Sequence, residues 1–402
     1  MLYIEGGVCA PKGFLASGIG CGIRRAGKKD LALIVSQKRC AAAGVYTKNL
    51  VKGAPIIVTQ DHIKNGYARA IIVNSGNANT CNDNGIEIAE GMCELVEKFT
   101  GVSSSDVVVG STGVIGQKLS LEPISCGMSA LVMRLGKNSE DAATAIMTTD
   151  TVKKEVAVKF ELGGKTVKMG AIAKGSGMIH PDMATMLVFV TTDAAINPEM
   201  LQKALEFSIQ DSFNMISVDR DTSTNDTMVV LANGMAENQE IVSEGKDFDA
   251  FKAALYELSL DLSRRIAKDG EGATKLLECV VTGAKSTEDA RKIAKSVICS
   301  PLLKCAMFGS DANWGRVLCA IGYAGADVDV TKVAVGFKSD GGEIKVCENG
   351  GGIEFSEKKA KEVLSHGDII IDVKLGDGDA SATAFGCDLT YDYVKINGDY
   401  RS

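Results

Sequence analysis

The sequence predicts a mixed α/β (α+β) protein with a large N-terminal part, residues 1–275, a smaller C-terminal part, 276–375, and a tail, 376–402. Three observations carry this prediction. The first third alternates short β-branched runs with Gly/Asn-rich turns, residues 152–170 alternate about a Gly163-Gly164 turn as a β-hairpin does, and the elements after Lys275, with the middle helix at 314–321 left out, fall in the order βαββαβ, a ferredoxin-like pattern.

Taken in order, the runs 31–35, 55–59 and 70–73 are β-branched and flanked by turn residues, the last followed by NSGNANTCNDNG. Residues 85–100 carry apolar side chains at helical spacing and stop at Gly101, a helix-ending residue. Residues 106–109 form a short buried strand that runs into the loop GSTGVIG. Within the hairpin, GGKT resembles the end of a phosphate-binding loop. The first glycine of that motif would fall on Lys159, and a strand follows where a helix is needed, so a hairpin turn is the reading. Residues 186–190 are wholly apolar, as in a buried strand. Beyond the boundary come a strand at 276–282, a helix at 286–298 capped by Ser286, a helix at 314–321, strands at 333–337 and 343–346, a helix at 356–364 and a strand at 368–375. Residues 380–394 read as one further strand returning towards the main part.

The chain has 402 residues, 45% hydrophobic and 24% charged, enough for a real core and ordinary for a globular protein, so disorder and fibrous repeats are excluded. A net charge of -7, with basic runs no longer than pairs such as Lys28-Lys29, argues against nucleic acid as a partner. No apolar stretch approaches the ~18 residues that span a bilayer, and the first residues lack a signal-peptide pattern, which together predict a cytoplasmic protein without a membrane partner. The 12 cysteines are scattered and include no CxxC pair, as expected of reduced thiols. With only three histidines, none beside cysteines at ligand spacing, neither a metal site nor a cofactor is predicted.

The most unusual segment is AIAKGSGMIHPDMATMLVFV. A glycine-rich loop meets an apolar strand at Thr185, preceded by small Ala184. There a hydroxyl could attack the carbonyl before it, and the cut would leave a threonine with both a hydroxyl and a free α-amine. An α-amine, with a pKa of roughly 7.7–8.0, is a competent base for a threonine nucleophile. His180 is near enough in sequence to act as a helper. The commoner reading of such local features is a strand-start threonine with a satisfied hydroxyl. The loop 110–116 supplies backbone N–H groups and the Thr112 hydroxyl, the parts of an oxyanion hole, although glycine loops after strands are common. TTDT (148–151), DRDTSTNDT (219–227), KDGEGATK (268–275) and the C-terminal VKINGDYRS are polar clusters suited either to a small-molecule pocket or to capped turns.

Together KGSGMIHPDMATM, DTSTNDT, KDGEGATK, GSDANWGR and GCDLTYDYVKINGDYRS, in this order, resemble the ornithine acetyltransferase family, also called the bifunctional ArgJ or glutamate N-acetyltransferase family, over nearly the whole chain. The resemblance implies an N-terminal-nucleophile-like layered sandwich, self-cleaved between Ala184 and Thr185 into an α chain (1–184) and a β chain (185–402) that assemble as an α2β2 heterotetramer. It implies Thr185 as nucleophile, Thr112 and Gly113 as the oxyanion hole, and Thr148, Lys174, Thr185, Glu271, Asn397 and Ser402 as substrate contacts, with Thr149 as the near alternative to Thr148. The implied reaction moves an acetyl group from N2-acetylornithine to glutamate through an acetyl-threonine, with acetyl-CoA as a further candidate donor. Arg220, Gly398 and Phe385 stand where the family often has glycine, alanine and tryptophan, and none of these removes a catalytic group. Two other classes remain open: a related N-terminal-nucleophile aminopeptidase or amidohydrolase that passes the acyl group to water, and an uncut ligand-binding protein.

Overall fold

A computed structural model describes residues 1–24, 27–180 and 186–399. In chain order the elements are β1 (Leu2–Ile4), β2 (Phe14–Ile19), β3 (Leu31–Tyr46), α1 (Ala54–His62), β4 (Tyr67–Asn74), α2 (Gly85–Thr100), β5 (Val107–Ser111), α3 (Glu122–Met133), α4 (Ser139–Ala145), β6 (Lys154–Leu162), β7 (Lys165–Lys174), β8 (Leu187–Thr192), α5 (Pro198–Gln210), β9 (Ile216–Ser217), β10 (Thr227–Ala232) and α6 (Lys246–Lys268). There follow β11 (Leu276–Ala284), α7 (Thr287–Ile298), α8 (Pro301–Phe308), α9 (Trp314–Gly322), β12 (Ala334–Ser339), β13 (Gly342–Glu348), β14 (Gly351–Gly352), α10 (Glu357–Leu364), β15 (Asp368–Lys374), β16 (Ala380–Cys387) and α11 (Tyr391–Asp399).

The strands form two sheets. The first has the order β1-β6-β7-β8-β10-β3-β4-β5, with β2 also paired to β3. Its middle strands, β8 and β10, are parallel neighbours and buried along their whole length, so they carry apolar side chains on both faces. Val188 and Val190 of β8 join Leu205, Phe251 and Leu258 of α5 and α6 in one core, whereas Leu187 and Phe189 face the opposite core with Phe14, Ala142 and Ile146. A third core packs α1, α2 and α3 on the outer face of β4 and β5 through Ile72, Val107, Val109, Met92 and Ile124.

The second sheet has the order β14-β13-β12-β15-β11-β16-β9, covered on one face by α7, α8, α9 and α10. The predicted βαββαβ order is present. Its strand order differs from that of a split βαβ unit, since β11 and β15 are parallel neighbours with no strand between them. β9 comes from the larger part of the chain yet pairs with β16, and Leu276, Phe385 and Cys387 belong to the core under α6, so the two sheets are joined by backbone pairing and by shared packing. Among the described residues no helix is long and apolar enough to cross a membrane.

Two segments differ from the sequence expectation. Residues 55–59 lie in a helix, α1, not an extended run. Pro55 occupies its first turn, where a missing N–H costs nothing, and Ile56 and Val58 are buried, with the Thr59 hydroxyl donating to the Val109 carbonyl at 2.8 Å. The stretch 380–394 is not one strand: β16 ends at Cys387 and the chain turns into α11. The hairpin, the 85–100 helix ending at left-handed Gly101, and the Ser286 cap, whose side chain accepts from Asp289 N–H, all appear as read.

Phe189 is fully buried in β8 and lies against the β5 side of the sheet. Phe189→Ala is expected to destabilise the protein by about 3–5 kcal/mol, read as a drop in the urea midpoint with an unchanged slope.

Candidate active site

The site forms where several strands of the first sheet end or begin at the same level. Lys174, the last residue of β7, is in register with Leu187 at the start of β8, and Leu187 is in register with Thr227 at the start of β10. Met186 is held there by the Thr227 N–H, which donates to its carbonyl at 2.8 Å. Ala184 and Thr185, immediately before it, lie outside the described residues, as does Ser402.

The GSTG loop leaves β5 and is anchored by Asn74 at the end of β4. Asn74 donates from Nδ2 to Ser111 Oγ at 2.7 Å, accepts at Oδ1 from the N–H groups of Gly76 and Asn77, and offers its carbonyl to the Thr112 N–H at 3.0 Å. Gly113 follows with φ +128°, and a Cβ there would lie 2.7 Å from the Gly76 carbonyl carbon. Only glycine fits this position without shifting backbone.

Lys174 reaches from the β7 end to the same loop, its Nζ 3.4 Å from Thr112 Oγ1. The same cavity is lined by Glu271, whose N–H donates to the Ser176 carbonyl at 3.1 Å and whose Oε2 accepts from Asn397 Nδ2 of α11 at 2.8 Å. Gly177 lies directly beneath this carboxylate, and a Cβ there would come within 2.3 Å of it.

These side chains surround one cavity of about 140 Å³, with Thr112, Gly113, Thr148, Thr149, Lys174, Glu271 and Asn397 all on its wall. The described residues expected in the oxyanion hole and as substrate contacts are therefore in one place. A small adjoining hollow reaches Met186 and Leu187. The sequence reading assigned no site role to a residue within DRDTSTNDT, yet Ser223, Thr224 and Asn225 line the cavity. The signal was the polar density of that segment. Asn225 is buried with its amide donating to the carbonyls of Ala78 and Ser111 at 2.6 and 2.9 Å, so it clamps the loop that carries Thr112. His180 is not among the described residues lining the cavity; its Nδ1 is 3.0 Å from Ser217 Oγ and 3.7 Å from Cys299 Sγ.

The charges are unusual for a buried place. Burial pushes the Lys174 ammonium below the ordinary lysine range, opposed by the Asp150 carboxylate. Asp150 is itself buried, which alone would raise it, but the ammonium groups of Lys154 and Lys174 and the Gly175 N–H hold its carboxyl down to about 2. The result is a small polar chamber with the lysine and the glutamate both on its wall and a hydroxyl beside the lysine. Such a chamber suits a small zwitterion and can stabilise an oxyanion. A wider cleft across β12, β13 and β15 is lined by surface ion pairs such as Lys338–Asp372 and brings no comparable groups together. Among the described residues no three metal-ligating side chains converge.

The sequence profile of the ArgJ family matches residues 15–402. The chain is 52% identical over 404 residues to the arginine biosynthesis bifunctional protein ArgJ of Caldanaerobacter subterraneus subsp. tengcongensis, covering all of both chains. It is 48% identical to the protein of the same name from Bacillus subtilis, over 100% of this chain and 98% of that one. A crystal structure of the arginine biosynthesis bifunctional protein argJ from Bacillus halodurans is similar with a TM-score of 0.50 and 45% identity, over 53% of this chain and 98% of that chain.

The Asp150 carboxyl gives a pH prediction. Its folded value of about 2 lies below the ordinary 3.8, so its contribution is fully present above pH ~4 and is lost as pH falls from ~4 to ~2. That contribution is about 2 kcal/mol. Denaturant titrations between pH 2 and 5 are expected to show this loss in the natural chain and a shallower one in Asp150→Asn.

Proposed function

The chain belongs to the ArgJ family, and from that premise we propose that it is a self-processing glutamate N-acetyltransferase of arginine biosynthesis that carries the acetyl group on Thr185. The observation that carries the reading is the convergence of Thr112, Gly113, Thr148, Lys174, Glu271 and Asn397 on one small cavity that adjoins Met186, the residue after Thr185.

The cut falls between Ala184 and Thr185 and yields chains 1–184 and 185–402. The solved Bacillus halodurans chain supports a two-chain product. It aligns over 53% of these 402 residues, about 213, at 98% of its own length, so it holds about 217, close to the 218 (402 minus 184) from Thr185 to Ser402.

In the first half-reaction N2-acetylornithine enters with its carboxylate towards Lys174 and its free amine towards Glu271. The Thr185 hydroxyl attacks the acetyl carbonyl while the α-amine of the same residue takes its proton. The Thr112 hydroxyl and the Gly113 N–H stabilise the oxyanion, the C–N bond breaks, and the proton passes to the departing ornithine amine. Glutamate then occupies the same chamber, its amine attacks the acetyl-threonine ester, and N-acetylglutamate leaves with the threonine hydroxyl restored. The cycle is ping-pong. Asn397 orients Glu271 through its amide, and Ser402 completes the substrate contacts from the C-terminus. The relatives are called bifunctional, and a second donor to the same threonine, for which acetyl-CoA is the candidate, would account for two activities. Two cleaved copies form the α2β2 assembly.

Intact mass of the denatured protein, before and after brief mixing with N2-acetylornithine, tests the reading. Two fragments divided before Thr185, with one acetyl group on the larger, are expected, and acetyl-CoA alone should give the same adduct. A cut chain that never carries acetyl would point to the hydrolase, and an uncut, unmodified chain would overturn the proposal. Lys174→Ala is expected to raise KM for both amino-acid substrates about tenfold or more in steady-state kinetics, the effect of losing one charge-assisted hydrogen bond; unchanged KM values would remove Lys174 as the carboxylate partner.

A further inference from the structure

Lys174 and Glu271 are both backed by one cation that takes no part in lining the cavity. Lys154, at the start of β6, is fully buried, and its ammonium meets two carboxylates, Asp150 Oδ1 at 2.8 Å and Asp269 Oδ2 at 2.5 Å. Three buried charges are tolerated only when each is paired and its remaining hydrogen-bonding capacity is used. Here it is used on the segments that form the cavity. Asp150 accepts from the N–H of Gly175, the residue after Lys174, at 2.8 Å, and from the N–H of Thr148 at 3.0 Å. Asp269 accepts from the Thr151 N–H at 3.1 Å and from the Thr151 hydroxyl. The Asp269 carbonyl accepts from Ser176 Oγ at 2.7 Å, and the Ser176 carbonyl in turn accepts from the Glu271 N–H at 3.1 Å.

Three polar segments distant in sequence, 148–151, 174–177 and 269–271, are thus tied through one ammonium. We propose that Lys154 is a positioning residue for the acetyl transfer: by bonding Asp150 to Asp269 it fixes the distance between Lys174 and Glu271 across the substrate chamber. The inference rests on the reading of those two residues as the groups that hold the substrate's carboxylate and amine. A lysine serving only as filler would be replaceable by an apolar side chain of similar length, since a buried ion pair is by itself weak evidence for stability.

The test compares Lys154→Met with the double variant Lys154→Met/Asp269→Asn. The single change leaves two facing carboxylates that repel and separate. On acidification a proton shared between them restores a bond, because one of two neighbouring carboxyls ionises late. In the double variant the amide of the new asparagine donates to Asp150, and the cluster regains the net charge of the natural one. The Lys174 ammonium acts on Asp150, and Asp226 and Glu271 in turn act on Lys174. These groups are present in every variant, so the ratio of variant to wild-type kcat/KM at each pH isolates the tie.

At pH 8, Lys154→Met is expected to lose about a hundredfold in kcat/KM, with about tenfold recovered by pH 6, while the double variant stays within about tenfold of wild type at both pH values. A single variant equal to wild type at pH 8 would overturn the inference, as would single and double variants impaired alike with no pH dependence. Should the single variant fail to fold, the double variant decides: near-wild-type activity supports the tie, and a folded, inactive protein refutes it. A wild-type chain that transfers no acetyl would instead overturn the functional reading itself.

Discussion

The rest of the structure depends on the register of β8 between β7 and β10. β8 is buried on both faces, and its neighbours run antiparallel on one side and parallel on the other. A slip of one residue would exchange Val188 and Val190, which face α5 and α6, with Leu187 and Phe189, which face the opposite core. Because that exchange is costly on both sides, the start of β8 is fixed, and with it the level at which the end of β7, the start of β10 and the Thr112 loop meet. The rigid sheet does the positioning, and the loops at its edge supply the chemistry.

The site stands on charge as well as on register. A lysine as buried as Lys174 is expensive to keep, and it is kept beside Asp150, with Asp226 and Glu271 also favouring its charged form. Lys154 and Asp269 complete the cluster behind it. The arrangement concentrates polar groups at the seam between the large sheet, the KDGEG turn and α11, where apolar packing would have been more stabilising and would have held no polar ligand. Gly113 and Gly177 belong to the same economy of space, since each leaves room that a methyl group would take from the Gly76 backbone or from the Glu271 carboxylate.

Much of this was legible in the sequence where the local signal and the tertiary environment agree. Helix 85–100 has its apolar stripe and its terminal Gly101, the hairpin has its paired glycines, and Ser286 begins a helix by capping it. Where they disagree, the sequence misled: the β-branched residues of 55–59 are helical because Val58 packs in the core on β5 and Thr59 bonds to Val109, a packing gain that outweighs local preference. The tail after Cys387 turns helical and lays Asn397 against Glu271, which periodicity in that stretch did not announce.

The chain by itself determined the family, the mixed α/β class, and the residue types that carry the chemistry, because these are written in contiguous motifs and in short-range patterns of turns and caps. Only the tertiary structure decided by what geometry TTDT, AKGSG, DTSTND, KDGEG and the C-terminal helix close one chamber, and that Lys154, unremarkable in a hairpin strand, lies at its back. The reason is physical. Hydrophobic periodicity encodes which face of an element is buried, but the meeting of side chains from segments more than a hundred residues apart is set by sheet register and by the pairing of buried charges, neither of which leaves a local trace.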